Sequence, residues 1–212
     1  MTVLVMLGTV PPSDVLETSG EQMERVRYSS IDEFIEWYLR REQRKHNEPA
    51  VPPRFKERRE VMRHHHSGKL RDWFWNAAWS IVLLDKVEDV GRLVFYDDNA
   101  WTRREGLIND ADGRDCRLLR KVAENAIKNK YLERNPNSQH RRYYDAMRDC
   151  HFRLEHASSL AVCTLNGDER AQNPGGTFYL HDGTGRALPY LILVMEGRIA
   201  FEAIMAFLAE EV

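Results

Sequence analysis

The run Phe178-Tyr179-Leu180-His181-Asp182-Gly183-Thr184-Gly185-Arg186 constrains the fold of this chain more than any other stretch. Phe178 to Leu180 is an apolar triplet that fits a buried strand, and Asp182 to Gly185 supplies turn-formers where the chain must reverse. Ala187 to Met195 is mostly apolar and reads as a helix. Pro189 is comfortable only in a first helical turn, so this helix is expected to begin near Gly185 or Arg186. A strand that breaks at glycine and re-enters a helix places free backbone N–H groups and the positive end of a dipole at one edge, where a phosphate can sit. Gly183, Thr184 and Gly185 are the expected cradle. Arg186 would add a bidentate donor to the phosphate, and Asp182 a carboxylate for a metal ion or an activated water. The same four residues also suit an ordinary tight turn with no chemistry.

With 212 residues the chain can bury a full core, and we read residues 1–212 as a single domain with 1–53 as an N-terminal extension carrying an amphipathic helix. Lys plus Arg is 31 against 33 Asp plus Glu, so no global positive field announces a nucleic-acid partner, and any such surface is local. Cys116, Cys150 and Cys163 are odd in number and in no metal-ligand spacing, which suits reduced thiols in the cytoplasm. No segment reaches the roughly 18 apolar residues of a membrane span, and Met1 to Val10 lacks the flanks of a signal peptide. The expectation is a cytoplasmic protein with no membrane partner.

Thr2 to Val10 is read as a peripheral strand, and residues 31 to 46 as a helix opened by a Ser30/Glu33 capping box and stopped by Pro49, Pro52 and Pro53. Ser80 to Leu84 and Gly91 to Tyr96 look like two strands of a hairpin around the acidic connection Asp85 to Asp89. Helices are expected over Asp112 to Glu133 and His140 to Cys150, broken at Asn135-Pro136-Asn137. Ser158 to Leu165 is a strand candidate, Asn166 to Gly176 a polar loop, and Ile199 to Leu208 a short strand turning into a final helix.

Arg54 to Arg71 is the local basic segment, and Arg58, Arg59, Arg63, Lys69 and Arg71 are its candidate nucleic-acid contacts. It runs into Trp73, Phe74, Trp75 and Trp79, setting cations beside aromatic faces that can stack bases; the alternative is a solvated helix face followed by a buried aromatic core. His64, His65 and His66 point about 100 degrees apart on a helix and cannot share one metal ion. Motifs of zinc hydrolases and P-loop enzymes are missing. If the hairpin lay against Asp182, two of Asp85, Glu88, Asp89, Asp97, Asp98 and Glu105 would complete a magnesium site; the alternative is that they are solvated loop acids.

Asp182-Gly183-Thr184-Gly185-Arg186 resembles the Asp-Gly-x-x-Arg signature of the ParB/sulfiredoxin-like superfamily, in which a strand ends in the motif, a helix follows and phosphate binds at the turn. Many members carry histidine where this chain has Gly185. Within the superfamily the chain looks most like the plasmid fertility-inhibition proteins of the Osa and FiwA kind. That resemblance implies an α/β (α+β mixed) fold, a small mixed sheet surrounded by helices. It also implies ATP and Mg2+ as cofactors, ATPase and DNase activity, and action against a conjugation or type IV secretion component. Asp182 would then be the acid or metal ligand, Gly183 and Thr184 would cradle phosphate and Arg186 would hold its charge. The rival functions are a binding protein without turnover, a ParB-like small-molecule kinase and a DNA-binding regulator.

Overall fold

The computed structural model describes residues 15–18, 21–46, 51–52, 54–65, 71–95, 100–149 and 160–212. Its strands are β1 (Val15–Thr18), β2 (Glu21–Ser29), β3 (Ala78–Leu84), β4 (Val94–Phe95), β5 (Leu160–Thr164), β6 (Phe178–Asp182) and β7 (Ile204–Glu210). They form one seven-stranded sheet in the spatial order β1-β2-β3-β7-β5-β6-β4. The pairs β4/β6 and β5/β7 are parallel and the others antiparallel, so the sheet is mixed. The helices are α1 (Ile31–His46), α2 (Phe55–His65), α3 (Val87–Gly91), α4 (Ala100–Arg104), α5 (Leu119–Lys128), α6 (Tyr131–Arg134), α7 (Gln139–Asp149), α8 (Gly167–Gln172) and α9 (Thr184–Met195).

The central strands split their side chains by parity, because successive residues of a strand face opposite sides. Val82, Leu84, Leu160, Val162, Phe178, Leu180, Ala206 and Leu208 enter one core, with α5, α7 and α9 packed over them. Trp79, Ile81, Ala161, Cys163, Tyr179, Phe207 and Ala209 enter a second core on the other face, beneath α1, α2 and a 3-10 turn at Asp72–Asn76. Strands buried on both faces read as the continuous apolar runs seen at 160–163 and 206–209. Helices on both faces of a mixed sheet give the α/β architecture expected. Among the described residues no helix is long and apolar enough to cross a membrane.

Helix α1 forms where its spacing predicts. Ser30 Oγ accepts the Glu33 N–H at 3.2 Å, but the Glu33 carboxylate turns to Arg27 and to Ser29 Oγ, so only half of the capping box is made. Both β2 and α1 fall in the stretch set apart as an N-terminal extension; β2 pairs with β3, and α1 buries Phe34, Ile35, Tyr38 and Leu39 in the second core.

The hairpin expected across residues 80–96 does not form. The Asp89 carboxylate accepts the Lys86 N–H at 3.1 Å and the Lys86 carbonyl accepts the Asp89 N–H at 3.1 Å, which opens α3 in the acidic connection; β3 takes β2 and β7 as neighbours, while β4 crosses to pair with β6. The long helix expected over 112–133 is also divided. Gly113 at φ 75° interrupts a 3-10 segment at Asp110–Asp115, and Lys130 at φ 50° separates α5 from α6. The polar loop after β5 holds α8, where Asn166 and Glu169 cap one another at 2.8 and 3.0 Å. The chain ends in β7 rather than a helix, its parity burying both faces. The strand expected over Thr2 to Val10 lies outside the described residues.

Candidate phosphate-binding site

The turn between β6 and α9 takes the expected form. Asp182 ends the strand, Gly183 at φ 104° is the N-cap, and α9 starts at Thr184. Pro189 therefore lies inside the helix, beyond its first turn, and has no N–H to give the Gly185 carbonyl. The Gly183 carbonyl accepts from both Arg186 N–H (2.9 Å) and Ala187 N–H (2.8 Å). The N–H groups of Thr184 and Gly185 make no hydrogen bond to another described residue, as the first N–H groups of a helix do not.

A bulge sets the direction of Asp182. Across from β6, Ala161 pairs with Asp182 and Val162 with Leu180, which leaves His181 as an extra residue. His181 packs its ring against Phe74 at 4.6 Å, and the interrupted alternation lets Asp182 reach α1, on the face opposite Leu180.

There Arg41 meets it. One Arg41 nitrogen holds Asp182 Oδ2, the other lies 3.2 Å from Oδ1, and Arg186 Nη2 lies 3.3 Å from Oδ2. The far edge of Arg41 binds Glu42 at 2.8 Å, and its guanidinium stacks over Trp37 and Tyr38 at 5.1 and 4.8 Å. Glu42, Arg41, Asp182 and Arg186 thus form a chain of alternating charge, with only 7% of the Arg186 side chain exposed. Burial alone would raise the Asp182 pKa, but the charge and hydrogen bonds of Arg41, with Arg186 and His181 behind them, hold it below the ordinary carboxylate value. Burial lowers the Arg186 pKa, against the opposite pull of Asp182. For Arg41 the burial effect is outweighed by Asp182 and Glu42, and its pKa is raised.

The glycines of the turn have separate reasons. A Cβ on Gly183 would stand 2.5 Å from Leu160 Cδ2 and 3.1 Å from Arg186 Nη2, so glycine lets the Arg186 guanidinium lie across the N-cap. At Gly185, which has no positive φ, the side-chain space is filled by Gln139, the first residue of α7. Neither Arg41 nor Gln139 is visible in the local sequence of the turn. The one hint of Arg41 is its position three and four residues after Tyr38 and Trp37 on a helix.

Two cations of the basic segment, Arg58 and Arg71, are committed to partners within the protein. Arg58 is buried, donating to Asp32 Oδ1 at 2.6 and 3.1 Å and to the Pro52 carbonyl at 3.3 Å. Arg71 pairs with Glu169 at 2.8 Å and stacks over Tyr179. Phe74 and Trp79, expected as possible base-stacking faces, are buried in the second core, where Trp79 stacks on Phe34 at 4.6 Å. Arg59 stacks on Phe55 and Trp75, and exposed Arg63 on Trp75 at 4.7 Å; neither forms an ion pair among the described residues. Lys69 lies outside the described residues.

Nor do the acids among the described residues gather as a metal site. Asp89 accepts the Lys86 N–H, Glu105 accepts from Asn135, and Asp97 and Asp98 lie outside the described residues. Among the described residues no group of three His, Cys, Asp or Glu side chains could hold a metal ion. Both Asp182 oxygens face Arg41, an arrangement that does not fit Asp182 as a magnesium ligand. A cleft of about 220 Å³ lies at the opposite end of α9, lined by Lys130, Arg141, Tyr144, Arg148, Glu196 and Arg198. Its Lys130 and Arg198 stand just beyond the C-termini of α5 and α9, where cations complement the carbonyl ends, and Tyr144 already donates to Glu196 at 2.6 Å. Comparison with models of protein families, with curated proteins and with solved structures finds no match for this chain.

Proposed function

We propose that the β6–α9 turn binds the phosphate of a nucleotide and that the protein is a nucleotide-binding phosphohydrolase of the ATPase type. One observation carries the binding half: Gly183 opens α9 with the Thr184 and Gly185 N–H groups uncommitted, beside the two guanidinia of Arg41 and Arg186. Thr184 and Gly185 hold phosphate oxygens through their backbone, Arg186 supplies positive charge behind them, and Asp182 orients both arginines. The hydrolytic half, with Mg2+ and ATP, rests on the resemblance of Asp182-Gly183-Thr184-Gly185-Arg186 to the ParB/sulfiredoxin-like signature. Magnesium would neutralise phosphate charge; since Asp182 does not fit it as a ligand, no step is assigned to the metal.

The test is phosphate release from ATP, with magnesium and then with EDTA, for the wild type, Asp182→Ala and Arg186→Ala. Magnesium-dependent release lost in both variants supports the proposal, and release that survives Arg186→Ala overturns the assignment of this turn. ATP binding without release selects a binding protein without turnover, and transfer to a hydroxyl acceptor selects a kinase.

A second reading adds DNA as a ligand, favoured by Arg59 and Arg63 stacked on Trp75 with no carboxylate partner among the described residues. Salt-sensitive binding of a single-stranded oligonucleotide that weakens in Arg59→Ala and Arg63→Ala supports it, and equal binding by the variants refutes it. The resemblance extends the proposal to inhibition of conjugative or type IV secretion transfer, which a mating assay with and without the protein tests.

A further inference from the structure

Helix α2 carries Arg58, Arg59 and Arg63, and of these only Arg58 is answered by a carboxylate, being buried on Asp32. Lys56, Arg59 and Arg63 stand three and four residues apart, on one side of the helix, and none makes a hydrogen bond or an ion pair with another described residue. Of the two acids of α2, Glu57 pairs with Arg54 at 4.0 Å and Glu60 shares the stripe, so three cations against one acid leave a net of two positive charges.

Arg59 is held differently from an ordinary surface cation. Its guanidinium lies over Phe55 at 4.3 Å and over Trp75 at 5.4 Å, and its Nε is buried with no hydrogen-bond partner. Arg63 lies over the same Trp75 at 4.7 Å. Trp75 is half-buried and packs against the second core from the 3-10 turn at Asp72–Asn76. A guanidinium stripped of part of its water by aromatic rings attracts an anion more strongly than one in bulk water, because less solvent screens the pair. With two guanidinia over its ring, Trp75 offers a ligand their N–H edges before its own face.

We infer that Lys56, Arg59 and Arg63 grip the phosphates of a nucleic-acid strand through its backbone alone, with Trp75 as the positioning residue of both arginines and not a platform for a base. This rests on the DNA reading proposed above and narrows it. Residues four apart on a helix advance about 6 Å along its axis, and cations fixed at that interval suit a polyanion with a charge at every nucleotide. Each guanidinium fork can take two oxygens of one phosphate.

The experiment is fluorescence anisotropy of the full chain with labelled oligothymidylate, oligoadenylate and an abasic sugar–phosphate chain of equal length, and polyglutamate as competitor. Loss of a stacked base costs about fivefold or more, so a backbone grip is expected to hold all three strands within about twofold of one another. Lys56→Ala, Arg59→Ala and Arg63→Ala should each weaken the three alike and lower the slope of log affinity against log salt by about 0.7, the share of one phosphate contact on a single strand. Trp75→Leu, which leaves both arginines unsupported, should also weaken the three alike, and Trp75→Phe, which keeps a ring, should restore most of the affinity; melting curves confirm that each variant is folded. An abasic chain that binds about fivefold more weakly than oligothymidylate, or a Trp75→Leu loss confined to strands with bases, overturns the backbone grip and leaves the DNA reading standing. Polyglutamate that displaces the strands at equal concentration overturns nucleic acid as the partner in favour of an acidic protein surface. No binding of any strand by the wild type, or unchanged affinity and salt slope in all three cation variants, overturns both readings.

Discussion

Replacing Arg41 by methionine removes the charge that holds Asp182 while leaving an apolar stem against Trp37 and Tyr38. The Arg41 and Asp182 side chains are 15% and 24% exposed, between the fully buried pairs whose disruption costs about 3–5 kcal/mol and the surface pairs worth about 0–1. Arg186 stays on Asp182 after the change, which places the loss near the middle, at about 2 kcal/mol. The stacking of the guanidinium on Trp37 and Tyr38 adds about 1 kcal/mol. A total of about 3 kcal/mol lowers Tm by about 6–12 °C for a chain of this size. Urea denaturation of Arg41→Met, Asp182→Asn and the double variant at pH 7 should give a coupling of about 1–2 kcal/mol. The pH dependence has a definite sign. The folded Asp182 pKa is depressed, so the pair's contribution is complete above the unfolded carboxylate value of about 4 and is lost as pH falls through the folded value. The gap between wild type and Arg41→Met should therefore narrow in acid. Costs that simply add in the double variant, or a gap of equal size at pH 7 and in acid, would refute the reasoning.

Gly183→Ala forces a Cβ to within 2.5 Å of Leu160 Cδ2 at a φ of 104°, and is expected to cost about 2–4 kcal/mol; a urea midpoint equal to that of the wild type would sink the argument. His140, whose Nδ1 lies 3.0 Å from the Tyr131 hydroxyl, has its pKa pulled down to about 4 by burial. The unfolded chain takes up a proton near pH 6.5 that the native state refuses, so stability should fall by up to about 3 kcal/mol as pH drops from 6.5 to 4. His140→Gln should flatten that slope; an unchanged pH profile would show that another group sets it.

Local signals were readable where a residue acts within a few positions of itself. Ser30 starts α1 as read, whereas Ser138 at the start of α7 was not singled out and Asn166 with Glu169 starts a helix in a stretch read as loop, because α8 is a single short helix. The hairpin expected after β3 failed because the choice of strand partner is not local. Asp89 capping Lys86 made a helix of the connection, and β4 found β6 instead of β3. The basic and aromatic segment failed as a nucleic-acid surface at Phe74 and Trp79 for a related reason: composition places cations beside aromatics but does not say which rings face a core.

The linear order of residues alone determined that Phe178 to Leu180 is strand, that the chain turns within Asp182 to Gly185 and that a helix follows, since apolar runs, φ preference and helix starts are properties of neighbouring residues. Only the tertiary structure decided what that turn meets. Arg41 stands 141 positions from Asp182, and Gln139 reaches Gly185 from another helix. Both arrive because burying two faces of one sheet brings α1 over one side and α7 over the other, and the bulge at His181 turns the carboxylate toward α1.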